Sequence, residues 1–193
     1  MQDFGVYFEL GMQHILDLGG YDHILFVIAL CGIYSVEDWR KILVLVTAFT
    51  IGHSLTLALS VFNVIRVDTA LIEFLIPVTI VITAFSNLLT KRRRRKPANK
   101  GWLTYSYALF FGLIHGLGFS NYLRSLLGKE SSITGPLFAF NVGLELGQLL
   151  IVLVVLLASF IATYLLSVTK RDWSFFLSSA VFGIALVMAL ERV

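Results

Sequence analysis

The chain reads as an all-α, polytopic membrane protein of six transmembrane helices in a single domain, and three observations carry that reading. Of 193 residues, 58% are hydrophobic and the mean hydropathy is +0.85, too apolar for a globule that must cover itself with polar surface. The apolar residues fall into runs near 4–34, 41–63, 70–90, 102–127, 133–166 and 172–191, each long enough for a bilayer core that needs roughly 20 residues per helix. Lysine and arginine alternate between the connecting loops as topology signals do.

The first run carries Gly19-Gly20-Tyr21-Asp22 and the fifth carries Asn141 to Gln148. Each is therefore expected to hold a kink, a tilt or a second short helix. With the basic loop 91–100 inside, eleven basic residues lie on the inner side: Arg40, Lys41, Lys91 to Lys96, Lys100, Lys170 and Arg171. Arg66, Arg124, Lys129 and Arg192 remain on the outer side. The positive-inside rule then sets both termini outside, to the periplasm or cell exterior. The arginine run comes without aromatic interleaving or a nucleic-acid-binding motif, so it reads as a lipid-facing anchor and nucleic acid is not an expected partner. Cys31 is the single cysteine and forms no internal disulfide. Met1-Gln2-Asp3 lacks the basic region of a secretory signal, so the first run is expected to be a retained span.

Against that apolar background stand four histidines, His14, His23, His53 and His115. Ionisable groups are costly in a bilayer and mark sites. At ~1.5 Å per helical residue, His53 lies roughly 18 Å, His115 roughly 20 Å and His23 roughly 17 Å above the cytoplasmic edge. Glu145, in the fifth span, comes to nearly the same layer. Asp22 precedes His23, and the two can serve one site only if Gly19-Gly20 breaks the helix. On a continuous helix His14 would sit some 13 Å nearer the outside than His23, at an outer mouth with Asp17. Asn141, Glu145 and Gln148 recur at i, i+4, i+7 and share one face. Gly112 and Gly116, and Gly143 and Gly147, form GxxxG pairs that let helices approach closely.

Imidazoles with one or two carboxylates suit first-row divalent cations. The expected metal ligands are Asp22, His23, His53, His115 and Glu145, for nickel, cobalt or zinc. Asn141 and Gln148 would orient them from behind, while His14 and Asp17 would capture the ion. The alternative is an intramembrane zinc-dependent hydrolase acting on a lipid or amide, with metal-activated water, Glu145 or Asp22 as general base and Ser54 positioning substrate. No GxxxxGK loop is present, so transport would be passive, ion-coupled or powered by a partner. His23 to His53 spans 30 residues and so does His115 to Glu145. The expectation from this is a 3+3 inverted repeat that superposes His23 on His115 and His53 on Glu145.

The ordered blocks Gly11-Met12-Gln13-His14-Ile15, Gly20-Tyr21-Asp22-His23-Ile24-Leu25-Phe26, Ala48-Phe49-Thr50-Ile51-Gly52-His53-Ser54-Leu55-Thr56-Leu57, Phe111-Gly112-Leu113-Ile114-His115-Gly116-Leu117-Gly118-Phe119 and Phe140-Asn141-Val142-Gly143-Leu144-Glu145-Leu146-Gly147-Gln148 together resemble the HupE/UreJ family of bacterial membrane proteins. Members linked to nickel uptake carry a proline after the first histidine, where this chain has Ile15. The resemblance is therefore to the family's broader branch. It implies a nickel or cobalt permease associated with accessory or metalloenzyme-maturation proteins, with His14, Asp22 and His23 as essential groups.

Overall fold

The computed structural model describes residues 2–89, 101–127 and 133–192. The described residues are helical apart from turns. The helices are α1 (Gln2–Leu16), α2 (Asp22–Cys31), α3 (Trp39–Val61), α4 (Thr69–Leu89), α5 (Gly101–Gly118), α6 (Ser120–Leu127), α7 (Thr134–Phe160) and α8 (Lys170–Glu191). A 3-10 turn, Val36–Asp38, leads into α3, and a π turn, Ile161–Leu165, closes α7. The segments Val36–Val61, Thr69–Leu89, Thr134–Leu165 and Lys170–Glu191 are long and apolar enough to cross a membrane. The basic run Lys91 to Lys96, Lys100 and Lys129 lie outside the described residues.

The other two hydrophobic runs are split. The first breaks after Leu16, where the Asp17 carboxylate accepts the Gly19 N–H at 2.8 Å and holds a turn in place of the next helical rung. The fourth, expected to be one helix over 102–127, breaks at Phe119 between α5 and α6. The fifth run behaves in the opposite way to its expectation. Helix α7 passes through Asn141 to Gln148 without interruption: the Asn141, Glu145 and Gln148 side chains each accept from a hydroxyl on α3, and the Asn141 amide also donates to the Leu137 carbonyl one turn back.

Three helix pairs build the bundle: α3 with α5, α1 with α7, and α4 with α8, with α2 lodged against α4, α7 and α8. Glycine sets the first two. A Cβ on Gly112 would fall on the Phe49 carbonyl, and one on Gly116 on the His53 carbonyl and the Thr56 hydroxyl. A Cβ on Gly143 would likewise fall on the Phe8 carbonyl, while Gly147 lies over Met12 and Ile15. Position rises together in both pairs, so each runs parallel. Backbone-to-backbone approach of this kind replaces the hydrophobic drive that lipid does not supply.

In α4, Pro77 lies inside the helix. Its missing N–H leaves the carbonyl four residues back without a helical donor. That carbonyl belongs to Glu73, and Arg192 donates to it at 2.9 Å from the end of α8. Leu146, Leu150, Leu153, Val154 and Leu157 of α7 are exposed, whereas His53, His115 and Gln148 are fully buried. Apolar groups outside and polar groups inside are the distribution a lipid solvent selects.

Candidate metal centre

The break between α1 and α2 brings His14 and His23 together. Their ring centroids are 4.7 Å apart, with His53 of α3 at 5.9 Å from His14 and 5.7 Å from His23. One ligand nitrogen from each of the three lies within 4.8 Å of the others. His115 of α5 joins the edge of this group, 5.2 Å from His23. The outer-mouth place expected for His14 assumed a continuous helix. The turn at Asp17 cancels that separation, and His14 stands in the cluster.

Two of the rings are oriented from behind. The Asp22 carboxylate faces His23 Nδ1 at 2.8 Å and also accepts the His23 backbone N–H at 2.8 Å, so Nδ1 carries the proton and Nε2 is left with its lone pair. The Phe111 carbonyl does the same for His115 Nδ1 at 2.9 Å. The second Asp22 oxygen is 3.9 Å from Arg192, so Arg192 joins the carbonyl freed by Pro77 to the carboxylate behind His23. Neither the arginine nor the proline stands out in the sequence as part of a site.

His14 Nε2, His23 Nε2, both nitrogens of His53 and His115 Nε2 are buried without a hydrogen-bond partner among the described residues, a costly arrangement in an apolar interior. In a tetrahedral site with metal–nitrogen bonds of ~2.0–2.1 Å the nitrogens stand about 3.4 Å apart, closer than the 4.8 Å limit within which this group of three lies. Aromatic rings wall it. Phe119, the residue at the second break, lies 3.9 Å from the His14 ring, Phe26 4.9 Å from His115 and Phe49 5.1 Å from His115.

The remaining expected residues are elsewhere. Glu145 accepts from Thr47 at 2.8 Å and is not in the three-histidine group. Gln148 accepts from Thr50 at 2.5 Å, and Asn141 accepts from Ser54 at 2.6 Å. None of the three has a hydrogen bond to a histidine among the described residues. Asp17 is exposed and bound to its own turn.

The family model described as HupE / UreJ protein matches residues 1–192. The chain belongs to the HupE/UreJ family. Comparison with curated proteins and with solved structures returned no match. Membership in HupE/UreJ, together with the long apolar helices, makes this an integral membrane protein. The histidines just described lie on α1, α2, α3 and α5.

Proposed function

We propose that the protein is a permease for a first-row divalent cation, nickel or cobalt, with His14, His23 and His53 as the cargo ligands. Asp22 and His115 complete the site by charge and by position. The observation that carries the reading is the set of unpartnered, buried imidazole nitrogens converging where a span is broken. Helix breaks at mid-membrane expose backbone and helix ends to an ion, which is how many transporters build their sites. Six spans with both termini outside, in a bacterial inner membrane, place the basic loop on the cytoplasmic side.

A 3+3 inverted repeat fits the glycine crossings, in a register different from the 30-residue spacing. The Gly11–Phe140 and Gly143–Phe8 contacts have the same form as Gly112–Phe49 and Gly52–Leu109. This pairs α1 with α5 and α3 with α7. Gly112 follows Gly11 by 101 positions, His115 follows His14 by 101, and α8 begins 101 positions after α4. His14 thus corresponds to His115, each at the end of the first half of a broken span, and Ser54 corresponds to Glu145. Rocking of one half against the other would open the site to each side in turn.

The hydrolase alternative draws less support, since Glu145 and Ser54 are engaged on the α3–α7 seam and Asp22 is held by His23. Purified protein should bind one cobalt or nickel ion per chain and admit it to sealed proteoliposomes. Binding without flux, together with hydrolysis of a lipid or amide, would replace the permease with the enzyme.

A further inference from the structure

Arg192 follows the last turn of α8 and reaches back toward the histidines. Its Nη1 donates at 2.9 Å to the Glu73 carbonyl, the group that Pro77 leaves without a helical donor. The same nitrogen stands 3.9 Å from the second carboxylate oxygen of Asp22. Among the described residues no other arginine or lysine comes within ion-pairing distance of that carboxylate. A fixed positive charge therefore stands directly behind the group that backs His23.

The distances decide what that charge can do. At 3.9 Å the guanidinium is too far from Asp22 to hydrogen-bond it, and close enough to act through its field. Asp22 is oriented by His23 instead, whose backbone N–H and Nδ1 both meet Oδ1 at 2.8 Å. Arg192 is anchored apart from both, on Glu73, and a guanidinium does not lose its proton. Its side chain is 31% exposed against 13% for Asp22, so water screens part of the effect. The sign opposes cation binding. Asp22 attracts a divalent ion to the neutral imidazoles, and Arg192 offsets that attraction before the ion arrives. Imidazoles with an unopposed carboxylate would hold a first-row cation tightly, and tight binding is chiefly slow release.

We propose that Arg192 sets the affinity of the histidine centre: its charge, held in place by the Glu73 carbonyl, weakens the grip on the divalent cation and speeds its release. The proposal rests on the permease reading. Arg192 is not a ligand and acts through Asp22 and through space. Pro77 gains a part in the same device. An N–H at that position would compete for the Glu73 carbonyl and loosen the guanidinium, so the proline in α4 is what reserves the anchor for α8.

The test uses the full chain in detergent, with cobalt as the probe. Arg192→Gln should bind cobalt about three- to tenfold more tightly, the range a partly exposed charge supplies, and should release it to a chelator more slowly by a similar factor. Loss of a merely structural contact moves affinity the other way. Arg192→Lys keeps the charge and should recover most of the wild-type value. Arg192→Cys reads charge alone in one folded protein, since Cys31 is buried and the new thiol is the accessible one. Capped with a neutral thiosulfonate it should bind tightly, and capped with an ammonium-bearing one it should return toward wild type. Equal affinities for the two adducts, or an Arg192→Gln variant that binds cobalt more weakly or within about twofold of wild type, overturn the proposal. Wild type that binds no cobalt removes the permease reading and the proposal with it, whereas cobalt binding that ignores the charge at position 192 removes the proposal alone.

Discussion

Replacing Asp22 with asparagine tests the centre at the point where geometry and charge meet. The side chain keeps its shape, and its buried position between His23 and Arg192 is preserved. What changes is the partner of His23 Nδ1, now 2.8 Å from a carboxylate oxygen. An amide in the same place either accepts more weakly or turns its NH2 to the ring. In the second case the imidazole proton moves to Nε2 and the ligand lone pair is lost. Removing the carboxylate also leaves a divalent ion among neutral imidazoles. Loss of such an outer partner typically costs 10–100-fold in metal affinity, or about 1.4–2.7 kcal/mol. Calorimetric titration of cobalt in detergent gives the affinity, and the cobalt absorption bands report whether coordination stays tetrahedral. Asp22→Asn binding within about twofold of wild type would refute the orienting role. Equal, small losses for alanine at His14, His23, His53 and His115 would mean that the imidazoles are hydrogen-bonding glue rather than ligands.

Three further outcomes follow from the packing. Gly112→Ala and Gly143→Ala should each lower stability by about 1–3 kcal/mol through overpacking, whereas Gly183→Ala, with open space at its Cβ, should leave the melting temperature in detergent unchanged or raised. Phe119→Ala uncovers the face of His14 and should speed cobalt release in stopped-flow chelator experiments with less effect on the spectrum of the bound ion. A cysteine replacing Asn99 should react with an impermeant thiol reagent only from the cytoplasmic side; labelling of intact cells would reverse the orientation.

The meeting of His23, His53 and His115 was legible in the sequence, whereas direction around a helix was not. Counting residues from the basic loops brings His23, His53 and His115 to one layer, and the structure gathers their rings. The same count brings Glu145 to that layer but cannot tell that its side chain turns to Thr47. His14 was misplaced because a rise of ~1.5 Å per residue holds only on an unbroken helix, and Asp17 ends the helix three residues on. Gly19-Gly20 announced that break. The break at Phe119 had a fainter signal, Gly118 before it and Ser120-Asn121 after it, inside a run apolar enough to read as one helix. The polar face of α7 was read as a source of interruption, yet Thr47, Thr50 and Ser54 accommodate it from another helix. Arg192 could not be found from sequence, since its role depends on a carbonyl vacated by Pro77.

The bundle contains two kinds of joint. Where glycine admits a neighbouring carbonyl, as between α3 and α5 or α1 and α7, sliding by a fraction of a residue drives backbone into backbone, so each pair behaves as one stiff rib. Between the ribs, α3 and α7 meet through short hydroxyl and amide side chains that can trade partners with one another or with water at little cost. Shear should therefore concentrate along that seam, like a bearing lubricated by exchangeable hydrogen bonds. His53 rides on one rib and His14 on the other, so slippage of a few tenths of an ångström there would be felt directly as a change in the span between two imidazoles.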